Sequence, residues 1–413
     1  MARKMKDSGI EWIGEIPEGW EVVPVKRLCT MQAGKNLTSE QIAPEGTYPV
    51  YGGNGIRGFF SDYNCDGQFL TVGRQGALCG NVHKINGKVW ATEHAVITAP
   101  SSYAILDFLY YLLIGMDLNQ YVSSTAAQPG LAVGTLLNLK TCYPCSTLEQ
   151  TQISNYLNAK CSEIDTMLSR TRSSIEEYKK LKQAVITQAV TKGVRGEREM
   201  KDSGNPWFGQ IPADWKLSRV GLHFSVILGK MLCNAPLNDT YTLEPYYCAA
   251  DVHFDGVADG ERKKMWFSPV EKELYRVSVG DLLVVEGGAG AGGSAIVEHQ
   301  DSDTYIQNSI MIVRSKGSAD NRYLRYLLEF LVKQGYIDIV CNKATIPHFT
   351  KDKLSCVPFC LCPTGEQKEI ADYLDAKCTE IDGLIAKKEQ LVKELESYKK
   401  SLIYEVVTGK REV

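Results

Sequence analysis

Cysteine pairs are the first feature of this chain that could support chemistry. Cys142-Tyr-Pro-Cys145 has the spacing of a zinc-binding pair, and the one later cluster is Cys356, Cys360 and Cys362. A structural zinc site needs four ligands at suitable spacing, which neither group supplies by itself. The alternative is that these thiols are buried apolar side chains. We favour that interpretation and expect no metal site.

A glycine-rich loop is the second feature. Gly288-Ala-Gly-Ala-Gly-Gly293 fits the G-x-G-x-x-G pattern of dinucleotide sites, which requires a helix directly afterwards. Residues 294–299 instead predict another strand. The chain has no G-x-x-x-x-G-K-[ST], no H-E-x-x-H, and no Asn/Asp-Pro-Pro-aromatic motif of the kind that amino-methyltransferases carry. We therefore expect no cofactor and no catalytic residue.

The composition limits the class of protein. The chain has 413 residues, of which 44% are hydrophobic and 23% charged, which suits two soluble domains plus connectors. The longest apolar stretch, Tyr103 to Met116, includes Asp107 and is too short for a membrane span, so it predicts a buried helix. Thirteen scattered cysteines and a start without a signal peptide favour a cytoplasmic protein with reduced thiols.

The charge is unusual for a protein that binds DNA alone. The formal net charge is −3 and the isoelectric point about 6.1, whereas isolated DNA-binding domains are usually basic. Either the chain does not bind DNA, or partner subunits supply many of the phosphate contacts.

An internal repeat organises the chain. Lys6 to Trp20 recurs as Lys201 to Trp215, with nine of the fifteen positions identical. The segment from Glu149 to Asp165 returns as Glu366 to Asp382. The segments at the ends of each half repeat, while the sequence between them differs in length. This pattern suggests two binding domains on one scaffold. The alternative is a duplicated domain whose two copies have simply diverged in sequence.

The second repeated segment opens a long helix in each half. Thr147-Leu-Glu-Gln150 and Thr364-Gly-Glu-Gln367 have the pattern of capping boxes, and glycines 193 and 409 supply the stop signals. Each helix should run for about 44 residues, or roughly 65 Å.

The spacing of apolar residues within both helices is typical of a coiled coil. The heptad predicted for the first helix is Ile153, Leu157, Lys160, Ile164, Met167, Thr171, Ser174, Tyr178, Leu181 and Val185. The heptad predicted for the second is Ile370, Leu374, Lys377, Ile381, Leu384, Lys388, Leu391, Leu395, Tyr398 and Leu402. Each helix has one narrow apolar seam, so we expect the two to pair with each other.

The segments outside the helices predict mixed strands and short helices with many glycine turns. Their motifs are G-W-E-V-V-P-V-K from Gly19, Y-P-V-Y-G-G-N-G from Tyr48, V-G-R-Q-G-x-x-G-N from Val72 and G-D-L-L from Gly280. In this order, together with the two helix starts, they resemble the DNA-specificity subunits of type I restriction–modification enzymes. The resemblance covers essentially the whole chain.

The resemblance implies both a fold and partners. The fold would be α+β, with target recognition domains at 1–146 and 194–363 and spacer helices at 147–193 and 364–413. If a pseudo-two-fold axis relates the two halves, the helices should pair as an antiparallel coiled coil. Each target recognition domain, called a head below, would read one half of a split double-stranded DNA target. The helices would dock two methyltransferase subunits, restriction subunits would join that core, and all catalysis would belong to these partners.

The side chains expected to contact DNA are those at loop tips that suit bases or phosphates. In the first head they are Arg57, Arg74, Gln75, Lys84, His94 and Gln128. In the second head they are Lys230, Arg262, Lys263, Lys264, Gln307, Asn308, Lys343 and His348. Arg74 and Gln75 are the strongest candidates because glycines flank them and no packing role is evident.

Two alternative functions remain at this point. One is a coiled-coil scaffold without sequence recognition, which eight basic and eight acidic residues in the segment 20–146 would suit. The other is an enzyme with a cofactor in the glycine-rich loop.

Pseudo-symmetry makes one further prediction. Lys201 follows the end of the first helix at Thr191, whereas Lys6 follows no helix in the sequence. If a two-fold axis relates the halves, Lys6 should lie near Thr408 at the end of the second helix.

Overall fold

The computed structural model describes residues 3–75, 79–122, 130–299, 302–341 and 347–413. The chain forms an α+β structure of short strands and helices together with two long helices, as expected. It divides into two compact units, Met1–Ser173 with Lys388–Val413, and Ser174–Lys387. Each unit therefore contains one mixed head and part of each long helix.

The described residues of the first head form short strands and three α-helices, and the first long helix follows them. The strands are β1 (Met5–Asp7), β2 (Glu15–Pro17), β3 (Trp20–Pro24), β4 (Cys29–Ala33), β5 (Tyr48–Gly52), β6 (Gly55–Phe60), β7 (Gln68–Gly73), β8 (Val82–Asn86), β9 (Trp90–Ala91), β10 (Ala95–Pro100) and β11 (Lys140–Pro144). The helices are α1 (Val25–Leu28), α2 (Leu106–Gly115), α3 (Val133–Asn138) and α4 (Thr147–Lys192). The apolar stretch from Tyr103 thus contains a helix, α2, whose Phe108, Leu109 and Leu112 are fully buried.

The second head contains more elements. Its strands are β12 (Met200–Asp202), β13 (Gln210–Pro212), β14 (Lys216–Arg219), β15 (Phe224–Leu228), β16 (Thr242–Tyr247), β17 (Val252–His253), β18 (Gly256–Val257), β19 (Lys264–Phe267), β20 (Leu282–Val285), β21 (Ser294–Ile296), β22 (Tyr305–Ile306), β23 (Ile310–Ser315) and β24 (Pro358–Leu361). Its helices are α5 (Val220–His223), α6 (Pro269–Tyr275), α7 (Asn321–Lys333), α8 (Tyr336–Val340), α9 (Lys351–Ser355) and the long α10 (Thr364–Val407).

The two heads share one sheet topology. The first has an antiparallel sheet in the order β4-β10-β7-β8, and the second repeats it as β15-β23-β20-β21. A three-stranded sheet accompanies each, β6-β5-β9 and β19-β16-β22, and its last pair is parallel in both. The central strand β20 is a run of four buried apolar residues, as a strand covered on both faces requires. The repeated frame predicted from the sequence is therefore present in both heads.

The long helices run antiparallel within each unit. In the first unit, Asp165 and Arg172 of α4 pair with Lys399 and Glu396 of α10, so the numbering rises along one helix as it falls along the other. In the second unit, Lys182 of α4 pairs with Asp382 of α10 at 2.7 Å. The predicted antiparallel pairing is confirmed.

The predicted phase of the heptad is wrong at every second position. In α4 the buried seam passes through Cys161, Leu168 and Ile175, each no more than 6% exposed, whereas Met167 and Leu181 are about half exposed. In α10, Cys378 is buried in the same way and Leu391 is exposed. Alternating spacings of three and four allow two phases that share Leu157, Ile164 and Thr171. The phase that the protein adopts buries cysteine, leucine and isoleucine instead of lysine, methionine and serine.

The predicted capping boxes are also wrong. Thr147 is already helical, and the Ser146 hydroxyl accepts the Glu149 N–H in its place. The Gln150 amide donates to the carbonyls of Tyr103 and Pro144, and its oxygen accepts the Ile105 N–H. In the second unit, Gln367 makes the corresponding bonds, to the Cys362 carbonyl and from the Asp320 N–H. These glutamines therefore tie each helix start to the head before it.

The N-terminal segment packs on the end of α10 within the first unit. The Tyr404 hydroxyl donates to the Trp12 carbonyl at 2.9 Å. A Cβ on Gly409 would lie 2.5 Å from the Pro17 ring, and Pro17 belongs to the strand that pairs with Lys6 and its neighbours. The first head is thus closed by the end of the second helix, in line with the position predicted for Lys6.

The seam phase can be tested by a matched pair of substitutions. Leu168→Ala should lower the free energy of unfolding by about 2–5 kcal/mol, because it leaves a cavity in the buried seam. Met167→Ala is the control, and it should change that free energy by no more than about 0.5 kcal/mol because the side chain is exposed. Urea denaturation followed by circular dichroism measures both. An equal cost for the two variants would contradict the observed phase.

Candidate nucleic-acid interface

Arg74 and Gln75 lie at the end of strand β7, between two other loops of the first head. The Arg74 N–H donates to the His94 carbonyl at 2.9 Å, and the Arg74 carbonyl accepts the Leu131 N–H at 2.8 Å. Gln75 forms a single bridge with Gly130. Backbone hydrogen bonds on both sides therefore fix Arg74 and Gln75, which we call the tip of the first head. Their side chains remain partly exposed.

The second head builds the same frame at the end of β20. The Glu286 N–H donates to the Ser309 carbonyl at 2.8 Å, and the Glu286 carbonyl accepts the Phe349 N–H at 2.6 Å. Gly287 forms the bridge to His348. Glu286 therefore stands where Arg74 stands in the first head, with the opposite charge. We did not predict Glu286 from the sequence, although aligning the buried strands β7 and β20 would have found it.

Polar side chains surround the tip of the first head. His94 Nε2 lies 3.1 Å from a carboxylate oxygen of Glu93. The Asn81 amide donates to Asn54 at 2.9 Å. A Cβ on Gly53 would come within 2.8 Å of the Gln75 carbonyl, so the loop that carries Asn54 packs directly against this tip. Asn54, Asn81 and Glu93 were not predicted, and the structure brings them together with Gln75 and His94.

The polar side chains at the tip of the second head bond to one another. The Gln307 amide donates to Asn308 Oδ1 at 2.7 Å, and the Ser309 hydroxyl donates to Gln307 Oε1 at 2.5 Å. His348 Nδ1 lies 3.3 Å from Glu286 Oε2. Three predicted residues therefore share one surface with Glu286. Because their side chains are mutually oriented, they suit recognition of fixed hydrogen-bonding groups.

A glycine before each tip permits close backbone contact. A Cβ on Gly34 would lie 2.3 Å from the Thr92 carbonyl, and one on Gly229 would lie 2.4 Å from the Gln307 carbonyl. Only glycine fits at either position. These contacts place the turns that carry His94 and Asn308 beside strands β4 and β15.

Lys84 takes part in contacts within the first unit. Its ammonium lies 2.8 Å from Asp107 and 4.4 Å from the centre of the Tyr110 ring. Burial alone would raise the pKa of Asp107, but hydrogen bonds from Lys84 and Asn158 outweigh it and hold that pKa below its ordinary value. Lys84 therefore connects β8 to α2, and its charge is already balanced.

Lys230 and Arg262 are also engaged within their head. Lys230 is buried, pairs with Glu271, and lies 4.9 Å from the centre of the Tyr241 ring. Arg262 pairs with Asp251 at 3.1 Å and lies over Tyr247. These contacts fit support of the loops better than contact with phosphate.

Exposure differs among the remaining predicted residues. Arg57, Lys263 and Lys264 are exposed. Arg57 lies on β6, where its stem packs over Gly52. Gln128 and Lys343 lie outside the described residues, so the structure does not test these two predictions.

A glutamate carboxylate joins each head to the long helices. In the first unit, Trp20 Nε1 donates to Glu149 at 3.0 Å, and Arg3 bonds to the same carboxylate. A Cβ on Gly409, at the end of α10, would lie 3.3 Å from the Trp20 ring. The start of α4 and the end of α10 therefore meet on one tryptophan.

The second unit repeats this arrangement with Glu366, which is fully buried. Trp215 Nε1 donates to Glu366 at 3.2 Å, and Arg198 bonds to the other carboxylate oxygen. A Cβ on Gly193, at the end of α4, would lie 3.2 Å from the Trp215 ring. The same three side-chain types thus orient each head on the helix pair.

The described residues give little support to a metal site or a dinucleotide site. No group of three or more histidine, cysteine, aspartate or glutamate side chains there is placed to hold a metal ion. The glycine-rich loop is followed by strand β21, as predicted, and not by the helix of a dinucleotide site. No helix in this part of the chain is long and apolar enough to cross a bilayer.

Comparison with known families identifies the class of protein. The type I restriction modification DNA specificity domain matches this chain twice, over residues 17–177 and 239–394. The two matches cover most of the chain, one in each half. This chain belongs to the type I restriction–modification DNA specificity family. Membership supports the DNA-recognition hypothesis and not the scaffold alternative.

Two relatives illustrate the similarity within this specificity family. The Escherichia coli type I restriction enzyme EcoprrI specificity subunit is 40% identical over 159 residues, which is 38% of this chain and 37% of the relative. The putative MjaX specificity subunit of Methanocaldococcus jannaschii is 27% identical, over 96% of this chain and 95% of the relative.

Solved structures share the fold of this specificity-family chain. A chain from a study of complex assembly and conformational transition of the type I R-M system has a TM-score of 0.71 at 16% identity, and the match covers 96% of this chain and 99% of that one. The HsdS subunit of Thermoanaerobacter tengcongensis has a TM-score of 0.51 at 17% identity, with 96% and 98% covered. At these identities the likeness establishes the fold alone.

Two lysines of the second head should behave differently when their charge is removed. Lys230→Met should lower the free energy of unfolding by about 1–3 kcal/mol, because Glu271 loses its partner. It should leave the salt dependence of DNA binding unchanged. Lys263→Met should leave the free energy of unfolding unchanged. It should reduce the slope of log affinity against log salt concentration by about one. Fluorescence anisotropy of the methyltransferase-bound chain at several salt concentrations measures the slope. A reduced slope for Lys230→Met would assign that lysine to phosphate contact.

Proposed function

We propose that this chain is the non-catalytic subunit that selects the DNA target of a type I restriction–modification complex. Each head would read one half of a split double-stranded target. The observation that carries the proposal is the pair of equivalent tips, Arg74 and Glu286, which stand on the same backbone frame with different chemistry. A constant frame with variable tips suits two readers of different sequences.

The charge of the chain supports the involvement of partners. With a net charge of −3, the chain alone repels a polyanion at long range. Two methyltransferase subunits docked on the helix pair would supply cations for the DNA backbone. Restriction and translocase subunits would join that core. We assign methylation, cleavage and ATP hydrolysis to these partners, since the chain carries neither the G-x-x-x-x-G-K-[ST] motif of ATP sites nor the Asn/Asp-Pro-Pro-aromatic motif of amino-methyltransferases.

The proposal is tested by sequencing modified bases in host DNA with and without this chain. Loss of one split methylated motif on deletion of the chain supports it and reveals the target. An unchanged set of methylated motifs would overturn it.

Arg74→Ala should weaken binding to the specific target far more than binding to random DNA. An arginine that donates two hydrogen bonds to one guanine contributes about 1–3 kcal/mol of discrimination. Competition binding of the methyltransferase complex to target and random duplexes measures the difference. Equal losses on both duplexes would reassign Arg74 to phosphate contact or to folding.

The helix pair should act as a ruler for the gap between the half-sites. One heptad added to each helix adds about 10 Å, which corresponds to roughly three base pairs. The altered complex should therefore methylate sites with a longer gap. Replacing one heptad with another of equal length is the control and should leave the gap unchanged. A folded, lengthened complex that keeps the old gap would contradict the ruler.

A further inference from the structure

We propose that Glu286 is a base-reading side chain of the second head and accepts a hydrogen bond from the exocyclic amino group of a cytosine. This inference rests on the proposed function and deepens it. It assigns a class of base to one position in one half of the target, and it assigns the opposite hydrogen-bonding character to the first head.

The position of Glu286 carries the first step. Its N–H and carbonyl are held by Ser309 and Phe349 in the way that His94 and Leu131 hold Arg74. Both residues directly follow the buried strand at the centre of their sheet. Because the frame is made of backbone bonds, the side chain at this position is free to differ between the heads.

The surroundings of the carboxylate leave room for DNA. A Cβ on Gly288 would meet nothing within 4 Å, and one on Gly290 would only touch Val285 at 3.9 Å. Gly287, Gly288 and Ala289 follow Glu286 directly and present no side chain larger than a methyl group. Such a bare turn permits close approach by a base edge.

The pairing of Glu286 sets it apart from the other shielded carboxylates of this head. Glu271 pairs with Lys230, Asp251 with Arg262, and Asp281 with Arg314. Among the described residues, the carboxylate of Glu286 pairs with His348, whose side chain is 60% exposed. Among the described residues, its Oε1 atom has no hydrogen-bond partner. The carboxylate therefore keeps capacity to accept a further hydrogen bond.

Electrostatics decides between a phosphate and a base as the group that Glu286 meets. An ionised carboxylate only accepts hydrogen bonds and is repelled by phosphates. At a DNA-facing tip it is therefore unfavourable unless it meets a donor. In the major groove, cytosine offers its N4 amino group, whereas guanine and thymine present acceptors at that level. Adenine places its N7 acceptor beside its amino group, so a single carboxylate fits cytosine best.

The same rules give the first head the complementary preference. Arg74 carries only donors and suits the O6 and N7 acceptors of guanine. The two tips would therefore read bases of opposite hydrogen-bonding character on one frame. Exchange of the side chain alone should exchange the preference.

The experiment selects bound duplexes from a randomised pool with the purified methyltransferase complex of the full chain. The wild type defines a split motif, and failure to select any motif would overturn the proposed function together with this inference. Glu286→Gln should shift one position of one half-site from cytosine toward adenine, with a change in the ratio of the two bases of about tenfold, because glutamine both donates and accepts. Glu286→Arg should move the same position toward guanine. The other half-site should stay unchanged in both variants.

Matched controls separate base readout from folding and from a role through His348. Glu298→Gln removes the charge of an exposed glutamate beyond the opposite end of the same strand pair, and it should leave the motif and the thermal midpoint unchanged. His348→Ala tests whether Glu286 acts only by orienting the imidazole. A clear wild-type motif that survives Glu286→Gln, or the same altered motif in Glu286→Gln and His348→Ala, would overturn the assignment.

Discussion

The glutamate carboxylate at the start of each long helix is the contact on which the rest of the structure depends, and it is partly buried at Glu149 and fully buried at Glu366. Glu149 and Glu366 each accept the indole N–H of a head tryptophan and bond to an arginine. A carboxylate taken out of water is costly unless its charge is balanced and its oxygens are hydrogen-bonded. Removal of either partner would therefore disturb the helix start and the head together. This requirement explains why the repeat is most exact at its ends, where the tryptophans and glutamates lie.

The same contact fixes the orientation of each head relative to the helix ends in its own unit. In each unit, the tryptophan that bonds to one helix start also packs on the glycine that ends the other helix. The glutamines one residue further along connect the helix starts to the segments before α2 and α7. A reader whose tip must meet a base edge needs this rigidity, because the hydrogen bonds of base readout tolerate little displacement.

The sequence predicted the frame better than the details. The repeat and the helix bounds follow from long, regular patterns, and the antiparallel pairing follows from a two-fold axis that relates the repeated halves. The phase of the seam did not, because alternating spacings of three and four fit two interleaved sets, and only packing against a neighbour selects Leu168 over Met167. Lys84 and Lys230 were predicted as DNA contacts from residue type alone, and the structure engages both in ion pairs with residues distant in sequence. Glu286, which we propose as a base contact, was not predicted because only basic, amide and imidazole side chains were expected to meet DNA.

That omission points to how one fold can serve different targets. The tips are fixed by backbone hydrogen bonds, which do not depend on the side chain at position 74 or 286. The links between heads and helices use side chains that lie far along the sequence from these tips. Specificity and assembly therefore depend on separate sets of residues within one domain. A substitution at a tip can alter the hydrogen-bonding character that DNA meets without disturbing the carboxylate contacts that orient the head. An acidic tip weakens attraction to phosphate, and under the proposed function the cations of partner subunits would offset that loss. The near-neutral charge of the chain and the proposed role of Glu286 both fit a complex in which partner subunits bind the phosphates and this chain contacts the bases.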